Sequence, residues 1–112
     1  MQRRISWVKG ALKDFEAFPD VVRDRVMFAL RMAAGGEKAD TAKPLKGLGT
    51  SIFEIALRHR GDVFRAVYSV QIGEDIWVLH AFRKKSKSGI ETPKPYIDLV
   101  RERIKRLEEH LR

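Results

Sequence analysis

Residues 75–88 read Asp-Ile-Trp-Val-Leu-His-Ala-Phe-Arg-Lys-Lys-Ser-Lys-Ser, and the architecture of the protein is built around this stretch. Residues 76–82 are almost all apolar, which is typical of a strand that is buried on both faces. Four of the next five residues are cationic, namely Arg83, Lys84, Lys85 and Lys87. A core strand that ends in converging cations indicates a small protein that holds a polyanion.

The composition indicates one folded domain. The chain has 112 residues, and we expect residues 1–112 to form a single domain with one modest core. Apolar residues make up 44%, which argues against disorder, and no apolar run approaches the roughly 20 residues that span a bilayer. The N-terminus lacks the apolar segment of a secretory signal. The chain has no cysteine, and its three histidines lack ligand-like spacing, so we expect a cytoplasmic protein without metal or other cofactor.

The charge distribution favours an acidic partner. The formal net charge is +8, and residues 83–112 contribute ten cations and five carboxylates, which is +5 of that total. Nucleic acid is the partner class that such a segment favours. The five carboxylates argue against an acidic membrane surface. A basic surface that only keeps the protein soluble is the alternative.

Two helices are predicted near the N-terminus, after a short opening strand at residues 3–8. Leu12, Phe15 and Phe18 recur at helical spacing, and Pro19 suits the first turn of a second helix. The apolar face of that second helix consists of Val22, Val26, Ala29, Leu30 and Ala33. Two glycines at residues 35–36 are a sound helix end. The pattern predicts a helix pair that is broken before Pro19.

Three strand-like runs follow a predicted loop at residues 37–51. They cover residues 52–59, residues 63–72 and the apolar stretch from residue 76. Turn-forming residues separate them, so we expect an antiparallel meander.

A last helix follows a linker. Thr92 is the expected N-cap, with Pro93 at the first helical position. The apolar stripe of this helix consists of Ile97, Val100, Ile104, Leu107 and Leu111. The predicted order of elements is β-α-α-β-β-β-α.

Several short motifs in this order resemble the RelE/ParE toxin superfamily, and within it the HigB-like branch of phage-derived proteins. They are Lys-Pro-Leu-Lys-Gly-Leu at 43–48, Phe-Glu-Ile at 53–55, Phe-Arg-Ala-Val-Tyr at 64–68, and His-Ala-Phe-Arg-Lys-Lys-Ser-Lys at 80–87 followed by Thr-Pro at 92–93. The resemblance implies an α+β, RelE-like fold. Its twisted, mainly antiparallel four-stranded sheet would carry an N-terminal helix pair and a C-terminal helix.

The resemblance also implies a function. Such proteins are toxins of type II toxin–antitoxin systems that enter the ribosomal A site and cut mRNA there without metal. A helix-turn-helix antitoxin neutralises the toxin, and operator DNA is bound only through the complex. The alternatives are a ParE-like gyrase inhibitor and a non-catalytic basic nucleic-acid-binding module.

Arg65 is the first candidate catalytic residue. It interrupts an apolar run, where an unpaired charge is costly to desolvate, and it matches an arginine that the family carries on this strand. A guanidinium suits the stabilisation of a pentavalent phosphate, because its fork matches two oxygens and stays charged. The alternative is a scaffold arginine paired with Glu54.

The cations at the end of the last strand form the second group. Simple alternation puts Arg83 on one face with Trp77, Leu79 and Ala81, so we expect it to lie opposite Arg65 across one cleft. Arg83 and Lys84 are the candidates for catalysis, and Lys85 and Lys87 are candidates for RNA binding. A solvated charge run is the alternative.

Weaker RNA-binding candidates are Lys43 and Lys46, which lie where the family's RNA-contacting lysines fall, and Arg58, which could join them from the second predicted strand. The same alternation puts His80 on an apolar face, so a hydrogen-bonded core histidine is favoured over a catalytic base.

Tyr96 is a catalytic candidate by resemblance, as a base or a stacking platform, and a surface tyrosine is its alternative. Some superfamily nucleases carry a His/Asp/Tyr cluster near the C-terminus, which this chain lacks. Its mechanism therefore rests on lysine and arginine, or its nuclease activity is weak or absent.

Overall fold

The computed structural model of the protein describes residues 2–49, 51–85 and 92–112. Within these residues the elements are, in chain order, β1 (Ile5–Trp7), α1 (Lys9–Glu16), α2 (Asp20–Ala34), β2 (Ala42–Pro44), β3 (Ile52–His59), β4 (Asp62–Ser69), β5 (Ile76–Lys85) and α3 (Lys94–His110). The strands form one sheet in the order β1-β5-β4-β3-β2. None of the three described helices has the length and apolar character that crossing a bilayer requires.

The predicted meander forms the centre of the sheet. β3 pairs antiparallel with β4 over its whole length, and β4 pairs antiparallel with β5. β1 joins the other side of β5 as a parallel strand. The expected α+β fold with a mainly antiparallel sheet is confirmed. The predicted run to residue 72 is too long, because β4 ends at Ser69, whose hydroxyl accepts the N–H of Gln71 as the chain turns.

The sheet has a fifth strand that the sequence analysis missed. β2 lies within the predicted loop at residues 37–51 and pairs antiparallel with β3, with Lys43 opposite Glu54. A strand of three residues is too short to show a period of two. Pro44 also argues against a strand, although a sheet edge tolerates proline because no partner needs its missing N–H.

Helices cover both faces of the sheet. α1 and α2 pack on the face that carries Phe64, Ala66 and Tyr68, which we call the helix-pair face. α3 packs on the opposite face, the α3 face, where Val100 and Leu107 contact a cluster that includes Val67. The predicted apolar face of α2 is confirmed, because all five of its residues are buried. In α1 the prediction was wrong for Leu12, which is 37% exposed while Ala11 is buried.

A β-bulge reverses the alternation of β5. Tyr68 pairs with Val78, but Val67 pairs with His80, so Leu79 is an extra residue in the strand. Residues directly opposite one another in neighbouring strands share a face. The bulge therefore changes which side chains of β5 lie on each face after Val78.

Before the bulge, Val78 contributes to the core under the helix pair. After the bulge, His80, Phe82 and Lys84 lie on the α3 face, and Ala81 and Arg83 lie on the helix-pair face. The two face assignments predicted for β5 are therefore wrong. His80 and Phe82 do not share a face with Val78, and Arg83 and Ala81 do not share one with Leu79.

α3 begins differently from the prediction. Pro93 is the residue before its first turn, and no side chain of the part of the chain that the structure describes caps the helix. Thr92 does not act as N-cap, because its hydroxyl donates to the buried Glu54 side chain at 2.5 Å. In the predicted stripe, Val100 and Leu107 are buried, and Leu111 at the end is 45% exposed.

Candidate functional site

A groove of about 760 Å³ occupies the part of the α3 face that α3 leaves uncovered. Strands β3 and β4 form its floor, and β2 with the residues after it and the start of α3 form its walls. The basic side chains that line it are Lys43, Lys46, Arg58 and Arg65. The fold thus brings together four of the predicted site residues, which come from three separate segments of the sequence.

Arg65 is anchored in the groove floor by a buried ion pair. Its Nη1 donates to Glu54 Oε1 at 2.6 Å, and the two side chains are 7% and 10% exposed. The second carboxylate oxygen, Oε2, accepts the hydroxyl of Thr92. The Glu54 carboxylate therefore connects β4 to the chain segment that leads into α3.

The register of the sheet explains this pair. Arg65 lies directly opposite Ala56, and Glu54 lies directly opposite Val67, so the two charged residues are diagonal neighbours on one face. Diagonal neighbours are within reach of long side chains. The scaffold alternative for Arg65 is thus realised in the structure. Its proposed action on RNA is compatible with that pairing, because Arg65 also lines the groove.

Lys84 lies on the same face as Arg65, and Arg83 does not. Lys84 is opposite Val63, a groove residue, whereas Arg83 is opposite Phe64 on the helix-pair face. The prediction that Arg83 lies opposite Arg65 across one cleft is wrong. The physical reason is the bulge at Leu79, which exchanges the faces of the two neighbouring cations.

Arg83 and Lys85 belong to the other face of the strand end. Arg83 Nε lies 3.5 Å from Asp62 Oδ2, its side chain is 60% exposed, and its guanidinium carbon lies 6.0 Å from the ring centroid of Phe64. Lys85 is exposed opposite Asp62. Lys87 lies outside the described residues. Because the Arg83 side chain is mostly exposed and its contact with Asp62 is long, the pair contributes little to stability, and Arg83 can turn to another anion.

Tyr96 is half-buried and is part of a ring cluster at the start of α3. Its ring centroid lies 4.2 Å from that of Phe82 and 5.0 Å from that of His80. Together with Arg83 it lines a separate cavity of about 390 Å³ beside β5. The structure therefore divides the predicted catalytic residues between this cavity and the groove.

His80 is a buried histidine, as predicted. It is 4% exposed, and its Nδ1 lies 3.3 Å from Nη1 of Arg103. Burial and the charge of Arg103 lower the pKa of His80 to about 4, although Asp14 opposes part of this shift. The imidazole is neutral at pH 7, and its burial argues against a role as general base.

Arg103 on α3 has a well-defined site that the sequence analysis missed. Its Nη1 donates to the carbonyl oxygen of Leu79 at 2.7 Å, next to His80. Burial lowers the pKa of Arg103, and the charge of Asp14 raises it. The sequence contained only one hint, a charged residue beside Ile104 in the apolar stripe, and such a hint does not identify the partner.

The groove can bind and stabilise negative charge. Among its described lining residues, four cations face two carboxylates, Asp40 and Glu54, and Glu54 is engaged by Arg65 and Thr92. Cleavage of RNA at a 2′-hydroxyl builds up charge on a pentavalent phosphate, and pre-positioned cationic donors stabilise such charge. An anchored guanidinium is suited to this task, because it keeps its orientation without reorganising during the reaction.

The comparisons with known proteins agree with this architecture. A model of the family described as phage derived protein Gp49-like (DUF891) matches residues 13–105. No curated protein sequence matches the chain significantly.

Two solved structures have a similar fold. A mutant form of the Escherichia coli toxin RelE in the free state is 20% identical, with a TM-score of 0.63 over 95% of this chain and 98% of that chain. The isolated Escherichia coli RelE toxin is 22% identical, with a TM-score of 0.57 over 89% of this chain and 97% of that chain. At these identities the likeness establishes a common fold.

Proposed function

Because this chain belongs to the Gp49-like family of phage-derived proteins and has the fold of RelE, we propose that it is the toxin of a type II toxin–antitoxin system. We propose that it cuts mRNA in the ribosomal A site, using arginine and lysine side chains without a metal. The observation that carries this proposal is the convergence of Lys43, Lys46, Arg58 and Arg65 in one groove.

The groove suggests a role for each cation. Arg65, anchored by Glu54, and Lys84, on the same face, would stabilise the scissile phosphate as its charge grows. Lys43, Lys46 and Arg58 would hold the flanking backbone. The role of each of these five residues is a proposal that rests on the position and charge of the side chain.

Arg83, Lys85 and Tyr96 receive a different role. Arg83 and Tyr96 line the separate cavity beside β5, and Lys85 is exposed on the helix-pair side of the strand end. We therefore assign them contacts with RNA outside the cleavage point, not with the scissile phosphate.

The expected setting is the cytoplasm, where ribosome and mRNA are available. A cognate helix-turn-helix antitoxin would neutralise the toxin, and operator DNA would be bound through that complex alone.

The direct test combines purified protein with programmed ribosomes and maps mRNA ends by primer extension. We expect cuts in the A-site codon. Lys84→Gln should slow cutting about 100-fold, the usual effect of removing one donor that stabilises a developing oxyanion. Lys13→Gln, an exposed lysine on α1, is the matched control and should cut at the wild-type rate.

Two results would overturn the proposal. One is intact mRNA on programmed ribosomes with a protein that is folded by circular dichroism. The other is a Lys84→Gln variant that cuts as fast as Lys13→Gln.

Salt dependence provides a second test that does not need cleavage. Binding of single-stranded RNA should weaken with salt, and each groove cation replaced by glutamine should reduce the slope of log K against log salt by about 0.7. Lys43→Gln, Lys46→Gln and Arg58→Gln should each show this change, whereas Lys13→Gln should leave the slope unaltered.

A gyrase inhibitor is the second candidate, because the outer side of α2 exposes apolar residues. Phe28 is 61% exposed and Val21 is 48% exposed, so the helix pair presents a surface on which another protein could dock. Expression in cells would then produce DNA breaks while mRNA stays intact. Expression without growth arrest would favour the non-catalytic binding module.

A further inference from the structure

Arg103 binds the extra residue of the β-bulge in β5. Its Nη1 donates to the carbonyl oxygen of Leu79 at 2.7 Å, and Leu79 is the extra residue of the bulge. The same Nη1 lies 3.3 Å from Nδ1 of His80. Because a guanidinium only donates, His80 Nδ1 is the acceptor of this contact. Both of these acceptors therefore lie at the bulge.

Three elements form the site that the guanidinium occupies. A Cβ atom at Gly10 of α1 would lie only 2.5 Å from Nη2 of Arg103, so the guanidinium passes directly over the backbone of α1. Asp14, one helical turn beyond Gly10, contributes the opposite charge. α1, β5 and α3 thus meet at this one side chain.

The alternative to the bulge is a simple register. If β5 continued its pairing without an extra residue, Val63 would lie opposite Arg83 instead of Lys84. A slip of one residue moves every following side chain to the other face. Arg83 would then share a face with Arg65, and Lys84 would lie under the helix pair. In that register Leu79 and His80 would leave the positions in which Arg103 contacts them.

We propose that Arg103 is a positioning residue that selects the bulged register of β5 and thereby places Lys84, and not Arg83, on the face of the groove. Bulges beside functional sites commonly re-aim a side chain in this way. The consequence for RNA cleavage rests on the proposed function, but the selection of register does not.

Engineered cysteines report the register directly, because the chain has no cysteine of its own. Val63→Cys with Lys84→Cys should form a disulfide in the observed register, since directly opposite Cβ atoms lie about 4.5–5.5 Å apart. Val63→Cys with Arg83→Cys should form one only in the register without the bulge. Both pairs are oxidised in the otherwise unaltered chain and in the Arg103→Met chain, and the cross-linked fraction is measured by mass spectrometry.

In the chain with Arg103, we expect cross-linking of the 63/84 pair and almost none of the 63/83 pair. In the Arg103→Met chain, the cross-linked fraction of the 63/83 pair relative to that of the 63/84 pair should rise about tenfold or more. The reason is that Arg103→Met removes a charged hydrogen bond that only the bulged register makes. Arg103→Lys, which keeps a donor, should restore part of the original ratio. An unchanged ratio in folded Arg103→Met protein would overturn the proposal.

If Arg103→Met fails to fold, the same cross-linking experiment can be carried out with a variant that keeps Arg103. Gly10→Ala crowds Nη2 of Arg103 without removing it, and it should shift the cross-linking ratio in the same direction. An unchanged ratio in Gly10→Ala would again contradict the proposed selection.

Cleavage assays give an independent readout. Lys84→Gln should slow cutting less in the Arg103→Met chain than in the presence of Arg103, because part of the Arg103→Met population then presents Arg83 to the groove in place of Lys84. A general loss of stability would slow cutting without changing which cation matters. If no variant cuts RNA, the proposed function fails, and the cross-linking result stands on its own.

Discussion

Removal of Arg65 should destabilise the fold strongly, because it leaves a carboxylate buried without its cation. Glu54 and Arg65 are 10% and 7% exposed, and their contact is 2.6 Å long. Breaking one side of such a pair costs about 3–5 kcal/mol, whereas replacing both partners with apolar residues of similar size is often nearly neutral. Among the residues that the structure describes, Arg65→Met leaves Glu54 with the hydroxyl of Thr92 but without its cation, so we expect a loss of about 3–5 kcal/mol in the free energy of unfolding.

A double-mutant cycle measures this effect. Urea unfolding at pH 7, followed by circular dichroism, is compared for the unaltered chain, Arg65→Met, Glu54→Leu and the double variant. The double variant should lose much less than the sum of the two single losses. The exposed Arg106–Glu102 pair on α3 is the control, and Arg106→Met should cost less than about 0.5 kcal/mol.

Additive losses, or a loss below about 1 kcal/mol for Arg65→Met, would refute the reasoning, because exposed and weakly coupled pairs behave in that way. The result also governs how cleavage by Arg65 variants is interpreted. A drop in activity counts as catalytic only where the variant is shown to be folded.

Two further predictions concern buried polar groups. Burial and Arg103 hold the pKa of His80 at about 4 against an ordinary value of 6.5, with Asp14 as the other charged group that acts on it. The folded state thus excludes a proton that the unfolded chain takes up, so stability from this group is complete above pH 6.5 and falls as the pH drops toward 4, by on the order of 3 kcal/mol in total. His80→Phe should remove most of the difference between urea midpoints at pH 7 and pH 4.5, and an unchanged difference would contradict this assignment. Thr92→Val should cost about 1 kcal/mol in the same assay at pH 7, because Glu54 loses a hydrogen bond, and wild-type stability would contradict that role.

The fold could be predicted largely from periodicity and turns. The alternation in residues 52–59 and the turn-forming residues that follow gave the pairing of β3 with β4, and the spacing of Val22, Val26 and Leu30 gave the buried face of α2. These signals are local, and the core that they create is large enough to fix the arrangement. β2 carries no such signal, because three residues show no period and its strand character comes from pairing with β3.

The site could be predicted only in part, because its contacts depend on register and on residues far apart in sequence. Lys43 and Lys46 were proposed from the resemblance to the family and Arg58 from its charge and position, and the structure brings them together with Arg65 in the groove. The bonds of Thr92 to Glu54 and of Arg103 to Leu79 span 38 and 24 residues, and nothing in the local sequence indicates them. The pairing of Arg65 with Glu54 was named as the scaffold alternative, and the structure contains it.

The basic cluster at the end of β5 shows why register matters more here than the number of charges. Arg83, Lys84 and Lys85 follow one another, and a strand sends consecutive side chains to opposite faces. One run of cations in the sequence therefore contributes to two surfaces of the folded protein. Lys84 lies on the groove side, and its two neighbours lie on the helix-pair side. The extra residue at Leu79 decides which cation belongs to which surface, and Arg103 contacts that residue from a third element. On the proposal above, a substitution of Arg103, which is 24 residues from Leu79 in the sequence, changes which cation faces the groove without altering any residue that lines it.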